Sequence, residues 1–204
     1  MLEKKHAIAA RLLIPCAIAV LGARAGAEEM AVALDPAKTQ ILWTLGDVLH
    51  TVRGTFQLRE GRVRFDPATG AISGNIVVDA GSGDSGNGTR DKRMKRDILE
   101  TQRYPEVRFA ATNVNGRIAA SGPSSVQVKG IFTIHGQPHE ITIPINVNVS
   151  GSEVSAAGKF AVPYVAWGMK NPSTFVLRVN ETVDVEVHAA GHIEPVKGAA
   201  DPTR

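Results

Sequence analysis

The chain has 204 residues, 43% hydrophobic and 21% charged, with 23 Lys+Arg against 20 Asp+Glu and a formal net charge of +3. That length suits one large domain or two small ones, and the ordinary charged fraction excludes a wholly disordered chain. With 20 Gly in no fixed period and a single Cys, the collagen-like and disulfide-scaffold classes are excluded as well.

Lys4, Lys5 and Arg11 form a basic start, followed by an apolar run from Leu12 to Gly22. The run is about eleven residues, too short to span ~30 Å of hydrocarbon as a helix. Ala25-Gly26-Ala27 then fits the A-x-A pattern of signal-peptidase sites, so residues 1–27 are expected to be a cleaved signal peptide. Cleavage removes four basic residues (Lys4, Lys5, Arg11, Arg24) and Glu3, leaving 19 of each sign. The basicity of the whole chain is therefore no argument for a nucleic-acid partner. Cys16 leaves too, so the mature chain has neither a disulfide nor a thiol nucleophile. A periplasmic or secreted protein is expected.

From Leu34 to Ile193 the dominant signal has period two, the mark of half-buried strands. Thr39–Leu45 reads as the opening strand. In residues 48–58, Val48, His50, Val52, Gly54, Phe56 and Leu58 share one face. Val63 and Phe65 repeat the pattern in residues 62–66, and Asp66-Pro67-Ala68-Thr69-Gly70 reads as a turn. Ile72, Gly74, Ile76 and Val78 align in the next strand. Gly81 to Gly88 has too little side chain for either periodicity and reads as a loop. Thr89 to Glu100 reads as a helix, with Thr89 as its cap, Asp91 in the first turn and Met94, Ile98 and Leu99 as an apolar stripe. Strands resume with Val107/Phe109/Ala111, Val126 to Ile134, Ile141 to Val149, Val154 to Val162 and Val183 to Ile193. Asn115-Gly116 and His135-Gly136 are tight-turn signals. Short links make neighbours antiparallel. The class is all-β, with one inserted helix near residues 90–100. Alternation alone leaves a barrel and a Greek-key sandwich both open. The mature domain is taken as residues 28–194, with a frayed, disordered tail over residues 195–204.

Chemistry-bearing motifs are few. His135 and His139 flank HGQPH, but no third ligand beyond Glu140 sits in that segment, and catalytic zinc normally takes three. No metal site and no cofactor are expected. His188 and His192 fall on an outward face beside Asp184 and Glu186. There is no G-x-S-x-G elbow, H-E-x-x-H or P-loop, so no catalytic residue is assigned. Arg90, Lys92, Arg93, Lys95 and Arg96 form the main basic cluster, without the interleaved aromatics of a nucleic-acid surface. An anionic lipid head group or a transient membrane contact suits them better. Gly54, Gly74, Gly130, Gly158 and Gly191 lie on the inward register of their strands, where they mark either a hollow interior or barrel curvature.

The order of features resembles a family. Asp35-Pro36-Ala37, Val52-Arg53-Gly54-Thr55-Phe56, Phe65-Asp66-Pro67 and Thr89-Arg90-Asp91 come first. Tyr104-Pro105-Glu106-Val107-Arg108-Phe109 and Val128-Lys129-Gly130 leading to Ile134-His135-Gly136 follow. Together these are similar to the YceI-like family of lipocalin-like, polyisoprenoid-binding envelope proteins, over about residues 34–192. The resemblance implies an extended antiparallel lipocalin-like β-barrel of about eight strands, enclosing the tail of an isoprenoid amphiphile. One departure is visible: the family's F-x-V-x-H run becomes Trp43-Thr44-Leu45-Gly46-Asp47, with His50 a few residues on.

The expected function is an exported, non-enzymatic carrier or sequestering protein for an isoprenoid quinone or polyprenyl derivative. Phe56, Val78, Phe109, Phe132 and Phe160 are expected to line the interior, with Met94, Ile98 and Leu99 closing it. Trp43 and Trp167 are placed at the mouth, and Arg90 and Lys92 at a head group. Two other readings stay open: a hydrolase or isomerase using His50 or His135, and a filled structural or adhesion barrel. An exposed edge strand would permit a homodimer.

Overall fold

Period-two alternation becomes nine antiparallel strands in a computed structural model that describes residues 30–46, 50–66, 69–173 and 178–195. The expected signal peptide and the tail beyond Pro195 lie outside the described residues. The strands are β1 (Met30–Leu34), β2 (Gln40–Gly46), β3 (Thr51–Phe65), β4 (Ile72–Asp84), β5 (Glu106–Asn115), β6 (Gly122–Ile134), β7 (Gln137–Ser150), β8 (Glu153–Val162) and β9 (Val183–Pro195). Each strand from β3 to β9 pairs with the next. β1 and β2 both lie between β3 and β9, so together they act as one interrupted strand and close an eight-stranded barrel. Closure removes the sheet edges that a sandwich would keep.

β1 was not anticipated, because Ala31 and Ala33 carry a weak strand signal beside the expected leader. The interruption after it is the Asp35-Pro36-Ala37 turn. There the Ala37 amide donates to Asp35 Oδ1 at 2.9 Å and the Asp35 amide reaches Ala190 O at 2.8 Å. Buried Thr39 resumes the ladder with its side chain: Oγ1 donates to Ala190 O at 3.4 Å and accepts from Ala190 N at 3.3 Å.

Residues 51–65 form one strand rather than two. A register shift between Leu58 and Glu60 inverts the parity, so Phe56 and Leu58 face the interior before it and Val63 and Phe65 after it. That is the signature of a bulge. The expected loop at Gly81 is also strand as far as Asp84. The Ser82 hydroxyl holds the irregular stretch, accepting from Gln57 N at 2.8 Å and donating to Asp79 O at 2.6 Å. Asn115-Gly116 is not a two-residue hairpin, since β6 begins only at Gly122. His135-Gly136 is one, with both residues at positive φ (51° and 72°), as a type I′ turn requires.

The helix begins earlier than expected and is capped by Asn87, not Thr89. Asn87 Oδ1 accepts from the amides of Thr89 and Arg90, each at 3.1 Å. α1 (Gly88–Arg93) passes directly into a π-helical turn, Met94–Ile98. Two buried clusters fill the barrel ends. Phe65, Ala111, Val114, Val126 and Val128 form one; Leu99, Phe132, Val162, Tyr164 and Met169 form the other, beneath the helix.

Candidate functional site

The inward faces of the strands enclose a cavity of about 810 Å³. Its wall is almost entirely Val, Ile, Leu, Phe, Met and Ala. Among the described residues, the only charged side chains on it are Arg90 and Arg93, both from α1. No described His, Asp or Glu lines it. Phe56, Val78, Phe109, Phe132 and Phe160, expected inside, all line the cavity; so do Met94, Ile98 and Leu99, expected to close it, and Trp43, expected at its mouth. Phe132 and Phe160 meet edge to face, with centroids 5.7 Å apart.

The inward glycines do not mark empty space. A Cβ at Gly54 would lie 2.5 Å from the Trp43 indole, and one at Gly130 would lie 2.6 Å from Phe109 Cζ. At Gly191 the obstacle is backbone, Ala33 O at 2.4 Å. These glycines let bulky neighbours or adjacent strands settle across them. The hollow arises instead from the dimensions of the barrel.

Two expected positions are corrected. Trp167 does not line the cavity: it stacks flat on His139, with centroids 4.0 Å apart and planes 6° apart, and leans on Phe132 at 5.9 Å. Lys92 is exposed and off the cavity wall, because α1 turns Arg90 and Arg93, three residues apart, toward the interior. Tyr164 and Met169 were missed. They cover one end of the barrel from an irregular segment in which periodicity gives no signal. The Tyr164 hydroxyl donates to Asn180 O at 2.8 Å, and burial, with the Glu181 charge, raises its pKa.

The helix is moored by Asp91, which is buried. Its carboxylate accepts from the Ser85 amide at 3.1 Å and from the Ser85 hydroxyl. Burial alone would raise its pKa. The two Ser85 bonds and the charges of Arg90 and Lys95 outweigh that and hold it below the usual carboxylate range. Arg90 completes the knot, with Nε on Ser85 Oγ at 2.7 Å and Nη2 on Ser85 O at 2.8 Å.

The histidines stand apart from the cavity. His135 Nε2 is 3.3 Å from Glu100 Oε1, and its ring meets Tyr104 at 4.5 Å. His139 belongs to Trp167, and burial lowers its pKa. The two imidazoles of HGQPH therefore serve different partners, and no metal-binding group of three ligands occurs among the described residues. His50 does not line the cavity either.

Residues 33–190 match the YceI-like domain. The chain belongs to the YceI-like family. A UPF0312 protein of Vibrio cholerae is 29% identical over 152 residues, covering 69% of this chain and 74% of that protein. A UPF0312 protein of Pseudomonas syringae pv. tomato is 26% identical over 148 residues, covering 69% and 73%. Among solved structures, Burkholderia cenocepacia BcnA superposes with a TM-score of 0.63 at 21% identity, over 77% of this chain and 98% of that one. A polyisoprenoid binding domain from Saccharophagus degradans gives 0.61 at 16% identity, over 81% and 99%. At these identities the two structures establish the shared YceI-like barrel fold.

Proposed function

We propose that the protein is an exported carrier that holds an isoprenoid-type amphiphile, an isoprenoid quinone or polyprenyl derivative, inside its barrel for transport, storage or sequestration. The observation that carries this is the cavity of about 810 Å³ with its nearly unbroken apolar wall. Burying ten isoprenoid carbons at ~0.8 kcal/mol each contributes about 8 kcal/mol, micromolar scale before association costs. Longer tails have the surplus to offset those costs. The polyisoprenoid-binding neighbour supports the ligand class.

Catalysis finds no support in the cavity wall, where the described residues offer neither imidazole nor carboxylate as a general base. The His–carboxylate pairs His135 with Glu100 and His188 with Glu186 both lie outside it. Native mass spectrometry after gentle purification tests the reading and is expected to show a co-purifying lipid. A dry interior without lipid under every expression condition overturns it. Export is tested by N-terminal sequencing of envelope-fraction protein, expected to start near Glu28; a chain retaining Met1 overturns it.

A further inference from the structure

Charge is distributed unevenly along the barrel axis. The β2–β3, β4–β5, β6–β7 and β8–β9 connections emerge at one end, which α1 covers, and the β3–β4, β5–β6 and β7–β8 connections emerge at the other. Among the described residues, the connections at that other end carry only Asp66 and Arg117 as charged side chains. Those at the α1 end carry eight Lys and Arg against four Asp and Glu. Three of the four acids are spent: Asp91 is buried against Ser85, Asp97 takes two Arg96 nitrogens at 2.7 and 2.8 Å, and Glu100 faces His135 at 3.3 Å. Lys92, Arg93, Lys95, Arg103, Lys170 and Arg178 make no ion pair among the described residues. The wall is different. Of its described Lys and Arg, seam included, only Arg53 and Arg64 lack an ion pair. Uncompensated positive charge is therefore a property of one end.

These cations come from three segments: the helix, the link to β5, and the stretch before β9. Arg93 and Lys170 both act on Asp97, so the helix and that last stretch sit side by side. Trp167 lies on the same stretch, half-buried, with its indole N–H bonded to no protein group. An indole with a dry face and a free polar tip, flanked by long cationic side chains, suits a surface that meets lipid at headgroup level. The closed barrel offers no strand edge to an extended peptide, and cations on three segments match a broad negative surface better than a single anion.

We propose that the α1 end docks on an anionic phospholipid bilayer, with Lys92, Lys95, Arg103 and Lys170 against the lipid phosphates and Trp167 at headgroup depth. The docking does not depend on what the cavity holds. It goes beyond the carrier reading by assigning the protein a second partner, a membrane surface.

Co-sedimentation with isoprenoid-free vesicles tests it, using protein purified from cells so that all variants share one N-terminus. Phosphatidylcholine vesicles with about 30% phosphatidylglycerol are expected to bind wild type at about 0.1 M salt and release it at about 1 M, where screening is nearly complete. Pure phosphatidylcholine should not bind it. Each cation near an anionic surface contributes about fivefold in partition, so Lys92→Gln with Lys170→Gln should weaken binding about twentyfold. Arg53→Gln with Arg64→Gln removes the same charge from wall cations that are equally unpaired, and should change nothing. All four side chains are exposed, so both double variants are expected to fold. Brominated phosphatidylglycerol should quench Trp167; Trp167→Phe, which leaves only the buried Trp43, should bind without quenching. Equal binding to both vesicle compositions, equal losses in the two double variants, or an unquenched Trp167 in bound protein overturns the docking and leaves the carrier reading standing. Failure to bind the anionic vesicles overturns it too, in favour of a soluble polyanion if heparin is bound instead.

Discussion

At Gly130 one added carbon would sit 2.5 Å from Ala110 O and 2.6 Å from the Phe109 ring. The glycine is therefore a packing requirement of its neighbour. Gly130→Val is expected to cost about 1–3 kcal/mol by overpacking, read as a lower urea midpoint; an unchanged midpoint would show that Phe109 moves freely. His139 carries a different consequence. Its folded pKa is lowered by burial, so as pH falls below about 6.5 the unfolded chain takes up the proton first. Stability therefore falls with acidification through that range. His139→Phe keeps a ring against Trp167 and should flatten the pH dependence of unfolding, followed by Trp fluorescence, between about pH 7 and about pH 5.

The helical element shows where reading the sequence succeeds and where it stops. Its apolar stripe of Met94, Ile98 and Leu99 is legible from spacing, and all three line the cavity. Its start is not, because Asn87 sits at the end of a Gly-Ser run that reads as featureless loop. Neither is the π-helical turn, which shifts later side chains relative to an ideal helix. The strands teach the same lesson. Alternation identifies each inward face locally, but the parity change between Leu58 and Val63 depends on which β4 residues pair with β3, a long-range fact. Residues such as Arg93 and Tyr164 reach the cavity only through such tertiary placement.

Mooring by Asp91 and Ser85 gives the helix its own testable stability. Ser85→Ala should speed amide hydrogen exchange across residues 85–99 while leaving β6 and β7 protected, a local opening; uniform acceleration would make the contact global instead. Because the Asp91 pKa is depressed, its contribution is complete above about pH 4 and is lost as pH falls through the folded value.

For the whole molecule, the barrel closes through two half-strands and the side chain between them. Thr39 supplies both a donor and an acceptor to Ala190 where the β-ladder lapses. Thr39→Val preserves shape and takes the acceptor from the Ala190 amide, while Asp35 N still serves Ala190 O, so a loss of about 1–3 kcal/mol is expected in thermal unfolding; a neutral result would mean the seam is held by β1 and β2 alone.

The composition of the cavity wall carries a last consequence. Among the described residues the lining carries no carboxylate or imidazole, so nothing there changes charge between mildly acidic and mildly alkaline conditions. The groups that respond to acid, His139 and Asp91, belong to the shell and to the mooring of the helix. An uncharged tail should thus be retained with one affinity from about pH 5 to about pH 8, even as the surrounding scaffold loosens. The described lining is in effect chemically blind to proton concentration, which makes the strength of the walls, not the hold on a bound tail, the quantity that acid would tax.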